Sequence, residues 1–434
     1  MNSGNKYLKN LIITAALAAL AAGMSAWAGA KEVGLCILFW YSIIVSLLAS
    51  IIAFRDLSDF SQFYLKTTRD LTMWSWYNRL ALLGVSLVFL GFAWVLRSVT
   101  PDLASIWVLV GVSVVCAFLL FSGYVNPWIM MRARQDSGRI VSIAEARAHV
   151  KPDESVIVID VNGHVRAHPD HQVVRPHVAG GKPIGGEDVV LTYCGLTNLG
   201  VAVSPQLDGQ RMELRPITQL HNNLVLADRV SGEPIQQLWM QTESDRNSGT
   251  GRALREWPTF RMPFSKYEEA YPDGEVFLND YRTKDTRQSF FRNPFLAVYD
   301  LVFDFAFDNT IKGQETEDEP FFPTVEYNDQ RLAAKEKVWA FNVGDDYVAY
   351  SEDFVREQGE PINIKVGGQD IVVAYDEDHQ SMGIFKNTTG APVKAVDHYG
   401  VSAEGTLPRV ETVKAGAYWI VWSHFYPNTD VNRV

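Results

Sequence analysis

Five side chains in one segment of the chain have the chemistry to ligate a soft or borderline metal ion: His168, His171, His177, Cys194 and Met240. Imidazole, thiolate and thioether groups suit copper and zinc. His168 and His171 have a ligand-like spacing, and His177 and Cys194 flank a strand-like run that can bring them together. The residues therefore predict a copper or zinc site around Cys194 and His177, with the other three as additional ligands. A solvated histidine loop, a packed cysteine and a gap-filling methionine are the alternative interpretation.

The strand-like run before Cys194 has a second copy. GGEDVVLTY at 185–193 and GGQDIVVAY at 367–375 lie 182 positions apart and share five of nine residues. Such self-similarity indicates that one structural unit is used twice. Short helices are predicted at 264–270 and 419–425, and each is followed by Tyr-Pro. The other apolar runs beyond residue 130 are strand-like. We therefore expect a β-rich (α+β) soluble domain of two internally duplicated lobes, 131–335 with an aromatic insert and 336–434.

Residues 1–130 differ sharply in composition from the rest of the chain. Apolar runs at about 8–29, 33–54, 80–98 and 105–125 are each near the roughly 20 residues that cross a bilayer core. They predict a transmembrane region of four helices that contact the lipid bilayer and anchor the soluble domain. The first run also has features of a signal peptide, so whether it is cleaved stays open.

The distribution of Lys and Arg predicts which side of the membrane the soluble domain occupies. Basic residues are concentrated before the first helix, in the 55–78 loop and after the fourth helix. By the positive-inside rule these segments, and the domain that follows them, are cytoplasmic. We expect an integral protein of a bacterial inner membrane, with a periplasmic domain as the alternative because large domains can be exported regardless of loop charge.

Charge excludes one class of partner, and an aromatic run suggests another. The chain beyond residue 130 has 31 Lys and Arg against 45 Asp and Glu, which argues against nucleic acid and against flat adsorption to anionic lipid. The run FFRNPFLAVYDLVFDFAFD at 290–308 is rich in aromatic residues. It is interpreted either as core or as a surface that contacts the bilayer or a membrane-protein partner.

Residues about 140–430 resemble the bacterial and archaeal family known as domain of unknown function 3179. The resemblance is carried by ESVIVIDVNGHVRAHP, GGEDVVLTYCGLTNLGVAV, NNLVLADRVSGEPIQQLWMQ, FFPTVEYNDQRLAAKEKV, GGQDIVVAY and WIVWSHFYP. It implies no activity. The family usually has a second cysteine three positions after the first, where this chain has Thr197 after Cys194, and it commonly has a histidine at the position of His177. The departure at Thr197 weakens the expectation of a two-cysteine metal or redox site.

Three functional hypotheses follow. The chain contains no Walker motif, dinucleotide-binding glycine fingerprint, GxSxG, HExxH or CxxC, and no residues support a named reaction. The leading hypothesis is therefore a membrane-anchored, non-catalytic binding or scaffold module, accessory to another membrane protein. The alternative is a copper or zinc protein. An enzyme with its site in a cleft between the lobes is the weakest of the three.

Overall fold

The computed structural model describes residues 2–131, 135–243, 252–283, 289–326 and 329–434. The chain divides into two compact units, Met1–Ile129 and Met130–Val434. The first unit is helical and the second is rich in strands.

Four helices of the first unit are long and apolar enough to cross a membrane, as the sequence predicts. The candidate spans are Lys9–Trp27, Lys31–Leu57, Arg79–Val99 and Ile106–Val125. Small polar side chains let the second and third spans pack closely, since Ser50 and Ser86 hydrogen-bond at 2.8 Å and Ser46 and Ser86 at 3.1 Å. The helices of this region are Asn2–Trp27, Lys31–Leu57, Arg69–Tyr77, Arg79–Val99, Ile106–Leu120 and Asn126–Met131, with short turns of helix at Asp59–Phe63, Pro101–Leu103 and Phe121–Val125.

The second unit is built from small sheets. Its strands are β1 (Arg139–Ser142), β2 (Ser155–Val161), β3 (His164–Pro169), β4 (Val178–Ala179), β5 (Val190–Cys194), β6 (Leu199–Val203), β7 (Gln206–Leu207), β8 (Gln210–Arg211), β9 (Leu214–Leu220), β10 (Asn223–Asp228), β11 (Pro234–Gln236), β12 (Gln241–Thr242), β13 (Glu256–Trp257), β14 (Thr259–Pro263), β15 (Glu275–Leu278), β16 (Lys337–Val343), β17 (Asp346–Ser351), β18 (Ile362–Val366), β19 (Gln369–Asp376), β20 (Ser381–Lys386), β21 (Val401–Ser402), β22 (Gly405–Thr406), β23 (Lys414–Tyr418) and β24 (Asp430–Val431). Its helices are Ile143–Ala146, Asp170–Val173, Phe264–Ala270, Asp280–Thr283, Pro294–Thr316, Glu352–Gln358 and Trp419–Phe425. The helices Phe264–Ala270 and Trp419–Phe425 confirm the two that the sequence predicts.

Four strands of one five-stranded sheet have the same arrangement as the four strands of another sheet. The first has the order β1-β15-β3-β2-β14 and the second β23-β16-β17-β24. In each, a hairpin is joined by one antiparallel strand that leads into a short helix and by one parallel strand. The hairpins also share their register, because the pairs Val158–Ala167 and Ala340–Ala349 are both shifted by 182 positions.

Turn residues set these hairpins. Asn162 and Gly163 have φ of +54° and +84°, the left-handed conformation that a two-residue hairpin turn requires. Gly344 has φ of +60° at the matching place in the second hairpin. The strands are buried on both faces, since Val156 and Val158 pack in one apolar cluster and Ile157 and Ile159 in another. This explains why the sequences of these strands are continuous apolar runs and do not alternate between apolar and polar residues.

Candidate functional site

Cys194, the central residue of the metal prediction, is buried at the end of β5. Its thiol lies 3.8 Å from the Asn222 carbonyl oxygen and accepts a hydrogen bond from the Thr197 hydroxyl at 3.6 Å. Burial raises the pKa of this thiol, with the hydrogen bond from Thr197 opposing the shift. The turn after β5 therefore brings positions 194 and 197 together, and here they form a hydroxyl–thiol pair.

The histidines of the prediction lie elsewhere. The His177 ring packs against Tyr193 and Phe307, with ring centroids 6.4 and 5.9 Å apart. Because successive strand residues point to opposite faces, the neighbour of Tyr193, Cys194, faces away from this ring. His168 stacks on Phe277 at 5.4 Å. Burial lowers the pKa of His177 to about 4 and that of His168 to about 3, so both rings are neutral at pH 7.

The two remaining candidate metal ligands are His171 and Met240. His171 is partly exposed and hydrogen-bonds Glu154 and Gln172. Met240 is buried in the same apolar cluster as Cys194. Among the residues that the structure describes, no three His, Cys, Asp or Glu side chains form a group able to hold a metal ion. Binding of copper or zinc by these residues stays a prediction.

A different site lies in a cleft of about 700 Å³, here called the Glu256 cleft. Its walls are aromatic. Trp239 and Phe425 meet edge to face at 5.0 Å, and Tyr347 and Tyr426 lie 4.7 Å apart. All four rings are partly exposed, which leaves flat apolar surface open to a ligand. The helix Trp419–Phe425 and the end of the β16–β17 hairpin position three of these side chains.

The charged side chains that line the cleft come from three segments. They are Arg255 and Glu256 at β13, Asp345 at the β16–β17 turn, and Glu411 and Lys414 before and within β23, while Gln241, Asn342 and Thr412 add uncharged polar groups. Lys414 forms an ion pair with Glu256. The Lys414 side chain is 4% exposed and the Glu256 side chain is 13% exposed. Burial raises the pKa of the Glu256 carboxyl, and the Lys414 ammonium opposes that shift. Glu411 is also paired, with Lys386 at 2.5 Å.

This arrangement suits binding better than acid–base chemistry. A general acid or base must exchange its proton with a substrate, whereas Glu256 and Glu411 are each held by a lysine ammonium. Paired carboxylates still offer oxygen lone pairs to hydroxyl groups. The lining has two basic and three acidic side chains, so its near balance of charge favours an uncharged ligand.

The Glu256 cleft has almost no signal in the sequence, because its lining residues are separated by up to 188 positions, from Leu238 to Tyr426. One pattern in the sequence does relate two of the lining residues. Glu256 and Glu411 each stand 15 positions before the tyrosine of a Tyr-Pro pair, at Tyr271 and Tyr426. The two glutamates therefore have the same spacing in the sequence from the two Tyr-Pro pairs.

Comparison with known proteins places the chain by its family. No curated protein and no solved structure matches it. Residues 129–429 match the family described as Protein of unknown function (DUF3179), which agrees with the resemblance carried by the strand motifs. Because the match spans more than half of the chain, this protein belongs to that family, with a helical region of four candidate membrane spans at its N-terminus.

Proposed function

We propose that this chain is a membrane-anchored, non-catalytic binding module, and that the Glu256 cleft binds a small, uncharged, hydroxyl-rich molecule of saccharide-like chemistry. The observation that carries the proposal is a cleft of about 700 Å³ with aromatic walls and lysine-paired carboxylates. This volume falls within the roughly 300–1,000 Å³ typical of small-molecule sites.

The apolar and the hydroxyl groups of such a ligand each have a complementary group in the cleft. The faces of Trp239 and Tyr426 suit the apolar C–H surface of a sugar ring. Carboxylate oxygens of Glu256 and Glu411 accept hydrogen bonds from hydroxyl groups, and the Asn342 amide both donates and accepts. A polyphosphate or nucleotide fits poorly, because Arg255 and Lys414 are outnumbered by acidic side chains.

We also propose that the second unit consists of two duplicated lobes, 131–335 and 336–434. The common strand order and the shared hairpin register support this division. It is further supported by a constant offset of 155 positions between the helices Phe264–Ala270 and Trp419–Phe425. The cleft then lies where equivalent segments of the two lobes meet, a common place for ligand sites. An accessory role beside another membrane protein stays a prediction.

Calorimetric titration of the full-length protein tests the binding proposal. The protein is kept in a detergent without a sugar headgroup, and the probes are maltose and cellobiose, with glucose 6-phosphate as the charged comparison. We expect a neutral disaccharide to bind and the phosphate ester to bind less tightly, because the cleft carries more acidic than basic side chains.

The variant Trp239→Ala tests whether the ligand binds in the cleft rather than on another surface of the protein. We expect it to weaken binding by roughly twofold to twelvefold, since an aromatic contact contributes about 0.5–1.5 kcal/mol beyond its buried area and 1.4 kcal/mol is a factor of ten. Tyr399→Ala is the matched control, because Tyr399 is a partly exposed aromatic residue outside the cleft lining. Absence of binding by either disaccharide, or equal losses in the two variants, would contradict the proposal.

A further inference from the structure

The helix Pro294–Thr316, here called the Phe-rich helix, packs Phe307 and Ile311 against the core and also exposes a second apolar face. Residues 295, 298, 302 and 305 follow the spacing that places side chains on one helical face. The apolar side chains that are at least 50% exposed in this region are Phe290, Phe291, Phe295, Val298, Leu301, Val302 and Phe305. A surface helix of a soluble domain turns its apolar stripe inward and its charged residues outward.

Two acidic side chains of the same helix, Asp300 and Asp304, face the protein. Arg175, which is fully buried, forms ion pairs with Asp300 at 3.2 Å and with Asp304 at 2.7 Å. Tyr281 donates a hydrogen bond to Asp304 at 2.9 Å. These contacts hold the carboxylates inward, and the apolar face is consequently directed away from the domain.

The same arginine connects the Phe-rich helix to the segment that follows the last candidate span. The Arg175 Nε donates to the Met130 carbonyl oxygen at 2.6 Å. Met130 is five residues beyond Val125, where the span Ile106–Val125 ends. Five helical residues advance only about 7.5 Å along the axis. The Arg175 side chain thus joins the Phe-rich helix to backbone five residues after the end of a candidate span.

Charge in the segment before the apolar face is also of the right sign for lipid headgroups. Residues 280–292 contain Arg282, Lys284, Arg287 and Arg292 against Asp280 and Asp285. This local excess of two positive charges contrasts with the acidic composition of the chain beyond residue 130. A basic segment that precedes an apolar helix in the sequence is typical of chains that bind anionic lipid headgroups, and Lys284 and Arg287 of this segment lie outside the described residues.

We infer that the exposed face of the Phe-rich helix lies in the headgroup region of the bilayer that the four apolar helices cross, parallel to the membrane surface. The bilayer then covers this exposed apolar surface. The inference concerns a surface separate from the cleft, so it holds or fails independently of saccharide binding.

Lipid-based quenching of site-specific fluorophores tests this placement. Leu301→Cys and Phe305→Cys are made in full-length protein carrying Cys36→Ala, while the buried Cys116 and Cys194 are retained. Each variant is labelled with NBD and reconstituted into phosphatidylcholine–phosphatidylglycerol vesicles with or without lipids that carry a shallow doxyl quencher. Val230→Cys is the control, because Val230 is an apolar residue that is 81% exposed in the turn between β10 and β11.

We expect doxyl lipid to reduce the fluorescence of labels at 301 and 305 and to leave the label at 230 unchanged. Equal responses at the three positions would overturn the inference. A second copy of the chain as the occupant would instead give dipolar broadening between spin labels at 305 that disappears on dilution with unlabelled protein, and this too would overturn it. Circular dichroism of each variant, compared with that of the parent, establishes that the fold is retained.

Discussion

Replacing Arg175 by Met is expected to release the Phe-rich helix from the rest of the second unit. The Arg175 side chain is 0% exposed and holds Asp300, whose side chain is 1% exposed. Removing one partner of a buried ion pair leaves an uncompensated charge and costs about 3–5 kcal/mol. Since each 1.4 kcal/mol is a factor of ten in an equilibrium, amide exchange in the helix should accelerate by roughly two to three and a half orders of magnitude.

Hydrogen–deuterium exchange of the full-length protein measures this effect peptide by peptide. The matched control is Arg211→Met, because Arg211 also bridges two aspartates, Asp136 at 2.8 Å and Asp188 at 2.6 Å, but is 39% exposed. Exposed ion pairs contribute only about 0–1 kcal/mol. Exchange in 294–316 that is the same in Arg175→Met as in Arg211→Met would refute the assigned role of the buried arginine.

A rescue variant separates charge from packing. In the Arg175→Met background, Asp300→Asn and Asp304→Asn remove the two carboxylates that have lost their partner. The neutral amides avoid the cost of burying an unpaired charge, so part of the protection should return. If protection does not return, the loss came from packing of the arginine side chain rather than from its charge.

Two further predictions concern the candidate ligands. Thr197→Cys is expected to form a disulfide with Cys194 on oxidation, because the Thr197 hydroxyl lies 3.6 Å from the Cys194 sulfur and disulfides need such proximity; alkylation and mass spectrometry of the oxidised variant should then find two free cysteines instead of four, given the three natural ones. His168→Phe is expected to reduce the loss of stability between pH 7 and pH 5. Burial lowers the pKa of His168 to about 3, so below about pH 6.5 the unfolded chain binds a proton that the folded chain does not, which costs about 2 kcal/mol by pH 5. Denaturation at the two pH values should show a loss smaller by that amount in the variant, and an unchanged loss would contradict the assignment.

Local features of the fold could be predicted from the sequence because their causes are local. The hairpin at Asn162-Gly163 follows from the left-handed conformation that its turn requires. The four apolar helices follow from length and composition. The orientation of the Phe-rich helix could not be predicted, because it depends on Arg175, more than a hundred positions away from Asp300.

The positions of the candidate metal ligands also depend on structure that the sequence alone does not give. The backbone of His177 lies beside β5, since the Tyr193 amide donates to the His177 carbonyl oxygen at 2.8 Å. Strand alternation nevertheless decides which side chain meets the ring, and Tyr193 rather than Cys194 faces it. Spacing along the chain does not contain this information unless the strand register is known.

The proposed lobes differ at one position where their side chains contact each other. Arg261 in β14 and Gly416 in β23 occupy equivalent places, 155 positions apart. Arg261 binds the Ala415 and Asn198 carbonyl oxygens at 3.0 and 2.9 Å, and a Cβ at Gly416 would lie 2.9 Å from its side chain. One copy supplies the arginine and the other the space that it needs, so identical residues at this position would leave either a clash or a gap. This contact between β14 and β23 therefore requires different residues at positions 261 and 416, and β23 also carries Lys414 into the Glu256 cleft.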